Sequence, residues 1–277
     1  MKIIDSFTFF NEIDLLKMRL SLLYEKVDHF IICESNVTHS GMKKNFNYLE
    51  YKNDFLPWQD KIIYLKFEPD VTSLDFSYKD VTTNYSSPTW YLETRQRNFL
   101  TSFLKNQDPG DVAIVTDVDE IWNPNLSDFL KTKKITHEAR RLEMKFHYYY
   151  LNCEGVGLNN SKWNYPFFSS IDFLLNNKNL SQIRTEYKLP IVGNAGWHFS
   201  YLGGPLKVSE KISAFAHQET NTKEINNLNH LNRCINRGID HLGREGHDWA
   251  FRPIDYYPEY LKNEMLKFKH LIKINLI

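Results

Sequence analysis

The N-terminal part of the sequence alternates between strand-like and helix-like segments, and this alternation restricts the possible folds more than any other feature. The segments KIIDSFTFF and DHFIICES are short apolar runs typical of buried strands. Between them, EIDLLKMRLSLLYEKV repeats its apolar residues at helical spacing. The same order recurs where TWYLETRQRNFLTSFLK precedes DVAIVTDVDE. We therefore predict an α/β fold with a mixed, mostly parallel sheet flanked by helices.

The strand DVAIVTDVDE ends in a cluster of carboxylates. Its apolar run is followed at once by Asp117 and Asp119. Ligands of open α/β sheets bind beyond the carboxyl ends of the strands, and residues two apart on a strand point the same way. Paired carboxylates suit a hard divalent cation, which takes waters and phosphate oxygens as its other ligands. The pattern predicts a site for Mn²⁺ or Mg²⁺; a solvated acidic turn is the alternative.

Three more residues are candidates for contact with a bound nucleotide. Glu34 ends the second predicted strand, at the same sheet edge as Asp117. Arg95 and Arg97 lie in the helix TWYLETRQRNFLTSFLK, and arginine binds phosphate through a planar fork of donors. A solvated basic helix face explains the two arginines equally well. We predict that these three side chains and Asp117 contact the nucleotide.

Polar residues in the C-terminal half are less specific. His198 lies in NAGWHFSYLGG, just before a Gly-Gly turn, and a single histidine is more often structural than a ligand. Glu219 follows in FAHQE, and Asp240 lies in GIDHLGREGHDW, which reads either as a polar flap or as a hydrated loop. The sequence contains no Ser-His-Asp order, P-loop or Gly-rich dinucleotide fingerprint.

Charge and composition exclude several classes of protein. Lys plus Arg and Asp plus Glu both number 34, so the net charge is zero and bulk capture of nucleic acid is not expected. Three scattered cysteines argue against a disulfide framework. No apolar stretch approaches the roughly 20 residues of a membrane span, and the N-terminus does not resemble a signal peptide. We expect a cytoplasmic protein without a transmembrane segment.

Several motifs together resemble one enzyme family. VDHFIICESNVTHSG, RQRN, VTDVDEIWNP, GWHFSYLGG and KISAFAHQE occur in this order. The order is similar to that of the glycosyltransferase family of β-1,4-mannosyl-glycoprotein 4-β-N-acetylglucosaminyltransferase (N-acetylglucosaminyltransferase III). The likeness spans about residues 1 to 270. It implies a GT-A fold, a UDP-sugar donor, expected to be UDP-GlcNAc, a glycan acceptor and inversion at the anomeric carbon.

The resemblance also implies roles for individual residues. Asp117 and Asp119 match the metal motif of the family, Arg95 and Arg97 its RQR stretch, and His198 its GWH motif. His198 is therefore expected to complete the metal shell. An inverting transfer needs a base for the acceptor hydroxyl. Two further residues are candidates for this base: Glu219 is the first and Asp240 the second.

The resulting hypothesis is a single glycosyltransferase domain over residues 1–277. Residues 1–124 are predicted to form its nucleotide-sugar-binding half and residues 125–277 its acceptor-binding half. A sugar-nucleotide nucleotidyltransferase is one alternative, although the segment FFNEIDLLKMR lacks the glycines of its phosphate loop. A catalytically inactive carbohydrate-binding protein is the other, and would need aromatic residues but not the carboxylates.

Overall fold

The computed structural model describes residues 1–77, 87–133, 135, 137–177 and 179–274. Its strands follow the predicted segments closely in the N-terminal half. They are β1 Ile3–Phe9, β2 His29–Ser35, β3 Ile62–Phe67, β4 Val112–Asp117, β5 Glu120–Trp122, β6 Ala139–Tyr148, β7 Cys153–Gly155, β8 Lys162–Trp163, β9 Phe167–Ser170, β10 Ile191–Ser200 and β11 Trp249–Phe251.

The helices lie between these strands and cover the sheet. They are α1 Ile13–Leu23, α2 Asn47–Glu50, α3 Pro88–Phe99, α4 Thr101–Leu104, α5 Leu126–Thr132, α6 Ile171–Asn177, α7 Leu180–Thr185, α8 Gly204–Ala214, α9 Leu228–Arg237 and α10 Glu259–Met265. Their ends follow local chemistry: Pro88 begins α3, where its missing N–H costs nothing. Gly238 ends α9 in the left-handed conformation, with a φ of 63°.

The strands form one curled, mixed sheet, which confirms the predicted fold class. Its main path is β11-β7-β6-β9-β4-β1-β2-β3. The N-terminal strands β4, β1, β2 and β3 pair in parallel, and β10 pairs in parallel with β6. Antiparallel pairing is found around β9, which lies between β4 and β6.

The sheet is buried on both faces in its N-terminal part. Adjacent residues of one strand, such as Ile3 and Ile4, are both fully buried but belong to different apolar clusters. The same holds for Ile114 and Val115 on β4. Side chains alternate across a strand, so continuous apolar runs are needed where helices cover both faces.

This topology brings several strand ends to one place. The parallel strands β1, β2 and β4 end near Phe9, Ser35 and Asp117, and their registers align these ends at one edge. The parallel pair β6 and β10 ends near Tyr148 and Ser200. Within the described ranges, no helix has the length and apolar character needed to cross a bilayer.

Candidate active site

A cleft of about 580 Å³ opens at these strand ends. Residues from both halves of the chain line it, including Asp117, Asp119 and Arg97 on one side and His198 and Lys211 on the other. Much of the remaining wall is aromatic. These residues are Phe9, Phe10, Trp90, Phe146, Tyr148, Trp163, Tyr165, Tyr201 and Phe215.

Asp117 ends β4 and is held by two guanidinium groups. Arg97 Nη2 lies 3.0 Å from its Oδ1, and Arg184 Nη2 lies 2.9 Å from its Oδ2. The Thr8 hydroxyl donates to Oδ1 at 2.7 Å. Burial favours the neutral carboxyl, but the two guanidiniums outweigh it and hold the pKa of Asp117 well below its usual range. Asp117 is therefore ionised, and both of its oxygens already have partners.

Glu120 anchors the same turn from beneath. It is fully buried and accepts a hydrogen bond from the main-chain N–H of Asp117 at 2.7 Å. Arg184 donates to both of its carboxylate oxygens, and the Trp163 indole donates to one of them. Arg184 thus bridges Glu120 and Asp117, and Glu120 orients the turn without lining the cleft.

Arg19 holds the main chain of this turn. Its Nη1 donates to the carbonyls of Asp117 at 3.0 Å and of Glu120 at 2.8 Å. Arg19 comes from α1 and is fully buried. The acidic turn is therefore fixed through its main chain by one buried arginine and through its side chains by two others.

Asp119 faces the opposite wall of the cleft. Lys211 Nζ, from α8, lies 2.7 Å from its Oδ2, and His198 Nε2 lies 3.4 Å from the same oxygen. Burial raises the pKa of Asp119, but Lys211 and His198 outweigh it and hold that pKa below its usual range. Lys211 Nζ also lies 3.4 Å from Glu12 Oε1.

The imidazole of His198 has a fixed orientation. Strand β10 pairs with β5, which sets His198 opposite Glu120. The ring stacks on Phe146 with centroids 4.7 Å apart and an interplanar angle of 3°. It also packs against Trp163 at 4.4 Å. Its Nδ1 is buried and has no hydrogen-bond partner among the residues that the structure describes.

Asp119 and His198 are spaced like two ligands of one cation. Neighbouring ligands of an octahedral ion at about 2.1 Å lie about 3 Å apart, and here the two atoms are 3.4 Å apart. In the described part of the chain, no three His, Cys, Asp or Glu side chains converge on one point. Waters and phosphate oxygens would supply the other ligands, as is usual for Mg²⁺. The spacing of the pair would suit Mn²⁺ or Mg²⁺, but in this structure Lys211 binds the same oxygen of Asp119.

The comparison with protein families decides what kind of protein carries this cleft. The model described as Glycosyltransferase family 17 matches residues 1–272. The chain belongs to glycosyltransferase family 17. No curated protein matches it. Membership of family 17 establishes a glycosyltransferase, with a sugar donor and an acceptor. The narrower likeness to N-acetylglucosaminyltransferase III stays a prediction.

In this family 17 glycosyltransferase, the two arginines of α3 that are predicted to contact the nucleotide lie in different environments. Arg97 is buried, lines the cleft and binds Asp117. Arg95 is exposed, lies outside the cleft lining and donates to the Tyr91 hydroxyl at 2.8 Å. Residues two apart on a helix point in different directions. Only the Arg97 position therefore agrees with the predicted nucleotide contact.

Glu34 lies beside the cleft but does not line it. Its buried carboxylate accepts hydrogen bonds from Lys44 at 2.6 Å, from the N–H of Asn47 at 2.6 Å and from the Tyr64 hydroxyl at 2.9 Å. It thus anchors the segment that follows β2. The geometry does not support the predicted contact between Glu34 and the nucleotide, because its oxygens are engaged on the protein side.

The two candidate bases also differ in position. Glu219 lines the cleft; its Oε1 lies 2.6 Å from His217 Nδ1, and its buried Oε2 has no partner among the described residues. Asp240 is outside the lining, and both of its oxygens bind the Arg244 guanidinium. Asp240 therefore orients Arg244, which does line the cleft. The geometry favours Glu219 as the base.

Two cations of the site were not among the sequence-based candidates. Arg184 lies in α7 within SQIRTEY, a segment that carries no motif. Lys211 lies in KISAFAHQE, a segment that carries the family likeness but gives no reason to single out its lysine. Their contacts with Asp117 and Asp119 span 67 and 92 residues. The order of motifs gives no information about such pairs.

Proposed function

We propose that this family 17 glycosyltransferase is an inverting, metal-dependent enzyme that transfers N-acetylglucosamine from UDP-GlcNAc to a hydroxyl of a glycan. The observation that carries the proposal is the convergence of Asp119 and His198, 3.4 Å apart, in a cleft that also contains Arg97, Arg184 and Lys211. This arrangement suits a cation and a diphosphate. The resemblance in the ordered motifs supports the donor and the stereochemistry.

Asp119 and His198 would hold Mn²⁺ or Mg²⁺, which when bound acts as a Lewis acid on the diphosphate leaving group. Arg97 and Arg184 are fixed beside this point because Asp117 binds both of them. They offer positive charge to the nucleotide at a geometry that is set before binding, so little ordering is needed when the donor arrives. Asp117 therefore serves as the carboxylate that organises these two arginines, and its engaged oxygens do not favour the predicted direct contact with the metal.

Glu219 is the proposed catalytic base. An inverting displacement forms the new glycosidic bond as the bond to UDP breaks, and the acceptor hydroxyl must lose its proton. Among the described residues, Oε2 of Glu219 has no hydrogen-bond partner and is proposed to receive that proton, while Oε1 is bound by His217. Trp90 packs edge-on against the His217 ring at 4.6 Å and holds the pair in place.

The aromatic wall of the cleft suits a sugar acceptor. Tyr165 is 43% exposed although it lines the cleft, and it packs on Trp163 at 4.7 Å. Aromatic faces pack well against the apolar faces of sugar rings, and clefts of this kind place a few polar groups among them. The acceptor is therefore proposed to be a glycan or glycoconjugate.

Calorimetry with UDP, with and without Mn²⁺, tests the site directly. The wild-type chain should bind UDP more tightly when Mn²⁺ is present. Asp119→Asn and His198→Asn should each remove this gain and keep the thermal stability, whereas the exposed Asp128→Asn should behave as wild type. An Mn²⁺-dependent gain that survives both substitutions would contradict the metal site. Incubation with UDP-GlcNAc, followed by detection of released UDP, tests the donor.

A further inference from the structure

We propose that Lys211 holds the carboxylate oxygen of Asp119 in the free enzyme and exchanges it for the donor diphosphate when the divalent cation binds. This inference rests on the proposed function. In this exchange Lys211 binds Asp119 first and the diphosphate afterwards. The metal and the nucleotide therefore strengthen each other's binding.

The lysine and the proposed cation need the same oxygen. Lys211 Nζ lies 2.7 Å from Asp119 Oδ2, and His198 Nε2 lies 3.4 Å from that atom. A cation held by Asp119 and His198 would compete with the ammonium for Asp119 Oδ2. Two positive groups at one carboxylate oxygen repel each other, so each weakens the binding of the other. Binding of the cation to this oxygen therefore requires Lys211 to leave.

Lys211 can move without a change in the fold. Its Nζ already lies 3.4 Å from Glu12 Oε1, so one partner is kept while the other is lost. The side chain is 21% exposed and reaches the cleft from α8. The helix itself is anchored by Val208 and Ile212, which are fully buried. A rotation of the flexible lysine stem is enough, and the backbone stays in place.

The two arginines beside the acidic turn are not free to do this. Arg97 is bound by Asp117 and by Glu93, and Arg184 by Asp117 and the buried Glu120. Their shared partner Asp117 has both oxygens engaged by them and is not proposed to bind the cation directly. The partner of Lys211, Asp119, is a proposed direct ligand.

The exchange has a consequence for the order of binding. Without nucleotide, the cation must displace Lys211 from Asp119, and the ammonium keeps Glu12 but gains no new anionic partner. With nucleotide, the diphosphate offers the displaced ammonium a new anionic partner. Cation binding should therefore be weak in the free enzyme and much tighter when UDP is present, which is a coupling between the two ligands. Asp119 stays paired in the absence of metal, so no buried carboxylate is left without a cation.

Titration of the free enzyme with Mn²⁺ tests the exchange without any measurement of activity. Lys211→Met should bind Mn²⁺ about tenfold more tightly than wild type, because the competing charged hydrogen bond is gone. Lys207→Met is the matched control. Lys207 lies on the same helix, is 56% exposed and pairs with Glu210, so its removal changes the charge equally without freeing Asp119. The gain should vanish in Asp119→Asn/Lys211→Met.

A second titration, with UDP at saturating Mn²⁺, should show the opposite change in affinity for the Lys211 variant. Lys211→Met should then bind UDP about tenfold more weakly, since the diphosphate loses a charged partner. A general change in electrostatic potential or a damaged fold would not strengthen the binding of Mn²⁺ while it weakens the binding of UDP. Lys211→Gln and a thermal unfolding curve provide a second variant and a check of folding.

The outcomes separate this inference from the proposed function. If wild type binds Mn²⁺ through Asp119 and Lys211→Met binds it no more tightly, the exchange is wrong while the metal site stands. If wild type and Asp119→Asn bind Mn²⁺ equally, with and without UDP, the metal site fails and the exchange fails with it. If Lys207→Met also binds Mn²⁺ more tightly, the effect comes from the change in net charge, and the exchange is wrong.

Discussion

Arg19 and Asp5 form a two-point ion pair in the interior, with Arg19 Nε and Nη2 2.7 and 2.6 Å from the two oxygens of Asp5. Both side chains are fully buried. The remaining nitrogen of Arg19 binds the carbonyls of the acidic turn, including that of Glu120 at 2.8 Å. The pair therefore connects the start of the sheet to the turn that carries Asp117 and Asp119.

Replacement of Arg19 should destabilise the whole fold. We expect Arg19→Met to lower the free energy of unfolding by about 3–5 kcal/mol, because Asp5 is left buried without its counter-charge. Urea unfolding followed by circular dichroism measures this. The double variant Asp5→Leu/Arg19→Met is the control and should be more stable than Arg19→Met, since it removes the orphaned charge. A double variant less stable than the single one would contradict this account.

The two arginines of α3 should differ sharply in donor binding. Arg97→Met should weaken UDP binding by about 1.5–3 kcal/mol, the value of a charged hydrogen bond. Arg95→Met, on the exposed side of the same helix, is the matched control and should leave UDP affinity unchanged. Arg97→Lys should not restore binding, because lysine lacks the planar fork. Calorimetry with UDP measures all three, and equal affinities for Arg97→Met and wild type would exclude Arg97 from the donor site.

Glu219 should be needed for the transfer and not for donor binding. Glu219→Gln keeps the size of the side chain but cannot accept the acceptor proton, so we expect a loss of rate of about 10²-fold or more. UDP affinity should stay near that of wild type. Release of UDP in the presence of a glycan acceptor measures the rate. Asp240→Asn is the comparison. An equal fall in the rate of this variant, at unchanged stability, would contradict the assignment of Glu219 as the base in preference to Asp240.

Stability should fall in mild acid because of a buried histidine. Burial lowers the pKa of His147 to about 3, whereas the unfolded chain has a value near about 6.5. Above about pH 6.5 the imidazole is neutral in both states. As the pH falls from there towards the folded pKa, only the unfolded chain takes up the proton. The free energy of unfolding then drops by up to about 1.4 kcal/mol per pH unit.

Urea unfolding at several pH values between about 7 and 5 measures this contribution. His147→Gln should show a shallower fall than wild type over that range. His270→Gln is the control, because His270 is exposed and removing it leaves the buried imidazole in place. The same slope in His147→Gln and wild type would show that His147 is not the group responsible.

The sequence by itself determined the elements and the edge at which the site lies. Continuous apolar runs, with helical spacing between them, are patterns of the local sequence and do not depend on the rest of the chain. They predict β1, α1, β2 and β4 closely, and they set Asp117 and Asp119 at a strand end. The carboxyl ends of parallel strands meet at one edge, so the location of a cleft there follows from the order of elements.

Only the tertiary structure decided which side chains meet at that edge. Arg95 and Arg97 are equivalent in the sequence, but the rotation of α3 against the sheet buries one of them and exposes the other. Lys211 meets Asp119 across 92 residues, through the path of several strands and loops. Local patterns fix which way a residue points on its own element, whereas long-range contacts depend on how the elements pack. Packing is a property of the whole chain, and no short segment encodes it.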